Sequence, residues 1–103
     1  MDLKKLENSS KEAESLLKTL ANSNRLMILC YLIKGPMTVS DLSESLALSQ
    51  SAVSQHLLRL KQSNIVLVES KGKHAWYRID SAEVTALMAV IQLIYCRNEE
   101  DLL

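Results

Sequence analysis

Long apolar runs are missing from this chain of 103 residues. The longest, Ala86 to Cys96, has 11 residues broken by Gln92, too short to span a bilayer. The amino terminus, Met1-Asp2-Leu3-Lys4-Lys5, is polar and lacks the apolar core of a secretory signal, so a cytoplasmic location is expected. Cysteine is scarce: Cys30 and Cys96 are the two present, and in that compartment a permanent disulfide is not expected. The chain's 2 glycines form no phosphate-cradling loop. Its 2 histidines, His56 and His74, have no nucleophilic cysteine near them, and no Ser-His-Asp or paired-carboxylate arrangement is visible. These absences argue against an enzyme. Net charge is also absent, because 12 basic side chains balance 12 acidic ones. A chain of this length has room for one domain with one core.

What is present is unevenly placed. Between Gln50 and Arg78 stand Arg59, Lys61, Lys71, Lys73 and Arg78 against Glu69 alone, an excess of positive charge that the rest of the chain offsets. Such an asymmetry lets one surface meet a polyanion while the whole stays neutral.

The stretch Leu48 to Lys61 organises the rest. Ser49 is a good N-cap, and Val53, Leu57 and Leu60 recur at i, i+4 and i+7 as one apolar stripe. At about 100° per residue, Ser51, Ser54, Gln55, Arg59 and Gln62 fall on or beside the opposite face. That face offers hydroxyls, amides and a guanidinium, with no carboxylate. A helix of this kind can approach phosphates and read base edges by hydrogen bonds. Taken alone it would be an ordinary solvated surface, so its neighbours carry the argument.

Residues 1–8 read as loose and polar. A helix is expected over 9–21, with Ala13, Leu16, Leu17, Leu20 and Ala21 apolar at helical spacing. Asn24 to Lys34 carries the unbroken run Leu26 to Ile33, which predicts a central helix buried nearly all round and stopped by Gly35-Pro36. Thr38 opens a short third helix, with Asp41 forming a near capping box and Val39, Leu42 and Leu46 facing inward. Ala47-Leu48 turns directly into the serine- and glutamine-bearing helix, a helix-turn-helix over 38–62. Asn64 stands where a left-handed cap is expected. Ile65 to Glu69 and His74 to Ile79 alternate as strands around Lys71-Gly72-Lys73, giving a basic hairpin over 65–79. In that position it reads as a wing, with Lys71 and Lys73 along a phosphate backbone; a lone hairpin of this kind would be a solubilising turn.

The last helix, expected over 81–97, is apolar on both sides: Val84, Leu87, Met88, Ile91 and Ile94 on one, Ala86, Ala89, Val90 and Leu93 on the other. A small monomer cannot bury both, which predicts a homodimer built on helices 9–21 and 81–97, with Leu16, Leu17 and Leu20 contributing. Two-fold symmetry then sets two reading helices about 34 Å apart on a palindromic site in double-stranded DNA. The fold class expected is mainly α with a small β-hairpin wing.

This order of elements, with Ser49-Gln50-Ser51-Ala52-Val53-Ser54-Gln55-His56-Leu57 and Asn24-Arg25-Leu26, resembles the ArsR/SmtB family of bacterial winged helix-turn-helix regulators over nearly the whole chain. The resemblance implies that Gln50, Ser51, Ser54, Gln55, His56 and Arg59 contact operator DNA, with the protein bound at the nucleoid. Ala47 and Asn64 stand where many members have glycine. Members that sense metals use a Cys-x-Cys pair in the third helix or Asp, His and Glu on the last. Here the third helix has no thiol and the last has no histidine, so neither a metal nor another cofactor is expected.

Cys30, within an apolar run, reads by itself as a packed core residue. Together with Cys96 after Leu93-Ile94-Tyr95, it resembles the non-metal branch of HlyU-, BigR- and SqrR-like regulators. What that resemblance implies is a Cys30/Cys96 thiol switch, responding to reactive sulfur species or oxidants and altering DNA affinity. The alternatives are an HlyU-like activator that relieves gene silencing with structural cysteines, and a winged helix used for protein contact.

Overall fold

Five of the six helices in the described residues, 1–96, start where a short polar side chain accepts an orphan backbone N–H. In the computed structural model these are α1 (Leu3–Asn8, capped by Asp2), α3 (Ser23–Ile33, by Asn22), α4 (Val39–Leu46, by Thr38), α5 (Gln50–Gln62, by Ser49) and α6 (Ala82–Tyr95, by Ser81). The remaining helix, α2 (Ser10–Leu20), follows Ser9 with no side-chain cap. Two antiparallel strands, β1 (Val66–Lys71) and β2 (His74–Ile79), form the hairpin. Residues 97–103 lie outside the described part, including the last position of the expected 81–97 helix.

At α4 the capping box closes fully. Thr38 Oγ1 accepts from the Asp41 N–H at 3.1 Å, and Asp41 Oδ2 accepts from the Thr38 N–H at 3.3 Å. Helix α4 ends at Ala47 in the left-handed region, φ 54°, and the Leu48 N–H donates to Ser43 O at 3.2 Å. One residue thus reverses the chain into α5. A left-handed L-residue costs about 1–2 kcal/mol, so Ala47→Gly is expected to stabilise the fold by about 0.5–1 kcal/mol, glycine's own chain entropy offsetting the remainder. Urea unfolding checks this; a lower midpoint at unchanged slope contradicts it.

The core lies where α3, α4, α5 and α6 meet: Ile28, Leu29, Leu42, Val53, Leu57, Leu60, Val84 and Met88 are all fully enclosed. The inner stripe of α5 is therefore the one its spacing predicts, and its polar side is left outside. Asn64 takes the left-handed conformation, φ 59°, and the Ile65 N–H donates back to Leu60 O at 3.0 Å, closing α5 before β1. In the hairpin, Val66 pairs with Ile79 and Val68 with Tyr77, while Glu69 faces Trp76. Helix, tight turn, helix and hairpin make a winged helix-turn-helix, mainly α, as expected.

Four features differ from the sequence expectation. Residues 3–8 are helical rather than loose, because Asp2 Oδ1 accepts from the Lys5 N–H at 3.0 Å and starts a turn that propensity alone would not hold. Helix α3 is not buried all round: Met27 and Ile33 are exposed, and Cys30 and Tyr31 half-buried. Strand β1 runs Val66–Lys71 rather than 65–69: the Ile65 N–H closes α5 while its O accepts from the Asp80 N–H at 2.8 Å, and pairing continues to Lys71 opposite His74. Met37 adds a short third rung, its N–H donating to Tyr77 O at 3.0 Å and its O accepting from the Tyr77 N–H at 2.8 Å.

Candidate nucleic-acid interface and paired-thiol groove

Helix α5 has no acidic residue, and Ser49 Oγ accepts from the Ala52 N–H at 3.0 Å at its start. Gln50, Ser51, Ser54, Gln55 and Arg59 are exposed on it. The arrangement leaves amide and hydroxyl groups free at the helix's N-terminal end, where the backbone dipole also favours a phosphate, and the Arg59 guanidinium free nearer its C-terminal end. His56 is half-buried at the edge of this face. Burial and then the Arg25 charge hold its pKa below the ordinary histidine value.

Arg25 is the side chain behind that edge. Its Nε donates to Thr19 O at 2.6 Å and its Nη2 to Lys18 O at 3.5 Å, satisfying carbonyls at the end of α2 from the start of α3. Leu58 is a further residue on the polar side of α5, 48% exposed among Ser54, Gln55 and Arg59. Sequence reasoning passed over it, although about 100° per residue places it close to Ser51.

The hairpin turns through Gly72 and Lys73, with Lys71 opposite His74. Gly72 has φ +64°, a conformation that a two-residue loop needs and an L side chain resists. Lys71, Lys73 and His74 are exposed at this tip. Arg78 is engaged instead: it pairs with Glu69 at 2.9 Å and Asp80 at 3.8 Å. The Arg78 hydrogen bond and charge hold the Glu69 carboxyl below its usual value. The lone acid of the basic region is thereby neutralised, while Arg59, Lys61, Lys71 and Lys73 have no carboxylate partner among the described residues.

Both cysteines are free, Cys30 half-buried in α3 and Cys96 exposed at the end of α6, where its N–H donates to Gln92 O at 2.7 Å. They line one open groove of about 310 Å³ together with Met27, Tyr31, Lys34 and Gln92. Two thiols far apart in sequence thus share one cavity wall. Among the described residues no group of three His, Cys, Asp or Glu side chains could hold a metal ion, and no helix is long and apolar enough to cross a membrane.

The outer side of α6 is bare. Val84 and Met88 are buried, but Val90, Leu93 (63% exposed), Ile94 (61%) and Tyr95 (80%) stand in solvent. Of the three α2 leucines expected at a dimer contact, only Leu17 is open, at 59% exposed; Leu16 packs against the core and Leu20 is within it. Leu17 lines an apolar groove with Leu6, Ala13 and Ala21, so the short α1 extends that surface.

Residues 22–68 match the family model described as bacterial regulatory protein, arsR family. The transcriptional activator HlyU of Vibrio cholerae is 39% identical over 100 residues, spanning 97% of this chain and 93% of the relative. The solved structure of reduced HlyU from the same organism superimposes with a TM-score of 0.84 over 90% of this chain and 98% of that one. The transcriptional repressor BigR of Xylella fastidiosa gives a TM-score of 0.84 at 32% identity, over 95% and 100% of the two chains. A homodimeric winged helix-turn-helix DNA-binding domain from Mycobacterium bovis gives 0.77 at 27% identity, over 86% and 82%. Sequence and structure agree along nearly the whole length, and the chain belongs to the arsR family of bacterial regulatory proteins.

Proposed function

We propose that the chain is a homodimeric, sequence-specific DNA-binding transcriptional regulator whose operator affinity is set by the state of Cys30 and Cys96. The observation that carries the switch is that both thiols line one groove. DNA binding is supported by the acid-free exposed face of α5 and the lysine-tipped hairpin beyond it, and by the DNA-binding and regulatory descriptions of the similar proteins. In this reading Gln50, Ser51, Ser54, Gln55 and His56 lie at base edges, and Arg59, Lys71 and Lys73 meet phosphates. The operator is palindromic, the protein acts in the cytoplasm at the nucleoid, and neither metal nor enzymatic step is part of the mechanism.

The chemistry is a two-electron oxidation. A thiolate attacks the terminal sulfur of a persulfide R–S–SH, forming Cys–S–SH and releasing R–S⁻. The second thiolate then attacks the modified Cys sulfur, forming a Cys–S–S–Cys bond and expelling HS⁻. A bond between α3 and α6 ties the core helix to the outer helix and changes the angle between two reading heads.

The test is a DNA mobility-shift assay on the gene's own promoter region, comparing reduced with persulfide-treated protein, with mass spectrometry of both thiols. Release or tightening that tracks bridging supports the switch, and identical affinity in both states removes it. Independently, Arg59→Ala and Lys73→Ala are expected to weaken binding, the lysine change also lowering the salt slope of log affinity by about one. Unaltered affinity in both variants would remove the DNA interface.

A second reading keeps the same operator contacts but makes the protein an activator that relieves silencing, with structural cysteines. The similarity to a protein described as a transcriptional activator favours it. Unchanged affinity on thiol oxidation, with promoter activity rising with protein dose, would select it.

A further inference from the structure

Lys34 is a member of the thiol groove that the switch as described does not use. It is the C-cap residue of α3, exposed, and its side chain lines the wall shared by Cys30, Cys96, Tyr31, Gln92 and Met27. Among the described residues no carboxylate lines that wall and Lys34 has no ion pair. The described residues of the groove therefore combine a cation, an amide, a phenol and a thioether with two thiols. Nothing in the DNA interface needs this combination, because the groove is built from α3 and the end of α6 and includes no residue of α5 or the hairpin.

We propose that Lys34 is the charge-selecting residue of this groove, making it prefer small sulfur donors that carry a carboxylate. This rests on the thiol-switch reading above and adds the class of reagent that reaches the sulfurs. The ammonium group pairs with the carboxylate of R in R–S–SH, Gln92 offers a second polar contact, and Met27 with the Tyr31 ring lies against the donor's carbon chain. So held, the donor presents its terminal sulfur to Cys96, the more exposed thiol. The Cys96 thiolate attacks that sulfur, the S–S bond of the donor breaks, and its electron pair leaves as R–S⁻. The cysteine is oxidised by two electrons to Cys–S–SH, the donor is reduced to its thiolate, and the proton stays on the transferred sulfur. Lys34 contacts the donor remote from the reacting atoms, so it raises local concentration and orientation rather than doing chemistry.

Iodoacetate and iodoacetamide serve as matched probes, alike in size and differing in the carboxylate. Labelling rates at Cys96 and Cys30 are measured by mass spectrometry in the unmodified protein, Lys34→Gln and Lys34→Glu. The iodoacetate-to-iodoacetamide ratio is expected to fall about three-fold in the first variant and about ten-fold in the second at low salt. Both differences should shrink in concentrated salt, with iodoacetamide rates within about two-fold throughout. Glutathione persulfide, which bears carboxylates, should release or tighten DNA more slowly in Lys34→Glu, while reduced-state affinity is unchanged. A ratio indifferent to Lys34, with persulfide still acting at full rate in Lys34→Glu, overturns the inference and leaves the switch standing. Persulfide without effect on DNA affinity in the unmodified protein removes the switch and the inference together.

Discussion

A Leu93→Asp variant is expected to sediment as a monomer and to lose operator binding by about a hundred-fold or more. Leu93, Ile94 and Val90 form an apolar surface on α6 that the protomer itself leaves in water. Full burial of such side chains stabilises association by about 1.5–3 kcal/mol each. An unpaired carboxylate at the centre of that patch reverses the sign, and in a two-fold interface it enters twice. The loss on DNA follows from geometry. One reading helix alone holds one half-site, whereas a dimer makes the second contact intramolecular, at an effective concentration near the millimolar range. Val84 and Met88, on the other side of α6, face the core and are untouched, so the monomer should keep its helical circular dichroism. Analytical ultracentrifugation and mobility shift together decide the matter. A Leu93→Asp protein that stays dimeric with full affinity contradicts the interface; a monomer with full affinity contradicts the paired reading of DNA.

The second large effect lies in the thiols. Cys30→Ser and Cys96→Ser are each expected to bind DNA like the reduced protein and to ignore persulfide. In the unmodified chain the same treatment should alter affinity by a factor of about 5–150, the usual range for coupling between two sites. Serine keeps the size of the side chain, and neither position is fully enclosed, so folding is preserved. Either single change removes half of the bridge, which gives the two variants one phenotype. Parallel titrations with reduced and treated protein measure it. A full response surviving in both variants ends the role of the pair.

The sequence made the local features legible. The cap at Ser49, the box at Thr38 and Asp41, the stripe of Val53, Leu57 and Leu60, the tight turn at Ala47-Leu48 and the left-handed Asn64 all depend on residues close in sequence. The basic tip of the hairpin was visible for the same reason. What escaped was set by contacts across the fold. Helix α1 depends on one aspartate cap, and its polar composition carries no periodic signal. The rung between Met37 and Tyr77 joins residues 40 positions apart without any alternating pattern around Met37. Leu20 looked available for a partner because helical spacing alone does not say which side of α2 meets α3. Leu58 gives no polar signal of its own, a leucine on a face otherwise marked by hydroxyl, amide and guanidinium groups. The shared groove of Cys30, Lys34 and Cys96 exists only once α3 and α6 cross, and no spacing in a linear chain encodes a crossing.

The rung at Met37 has a mechanical outcome. Only Lys34, Gly35 and Pro36 separate the end of α3 from it, and two main-chain bonds clamp it to Tyr77 at 2.8 and 3.0 Å. The hairpin is thus held to α3 through Met37 as well as to α5 through Ile65, with its lysine tip at the far end. In the proposed switch, a small tilt of α3, the helix that bears one of the two sulfurs, would be carried along the three residues of β2 beyond Tyr77, His74 to Trp76, before it arrives at the tip. A change at Cys30 would thus have a main-chain connection to the lysine tip through Met37 and Tyr77, alongside the one that runs through α5 and Ile65.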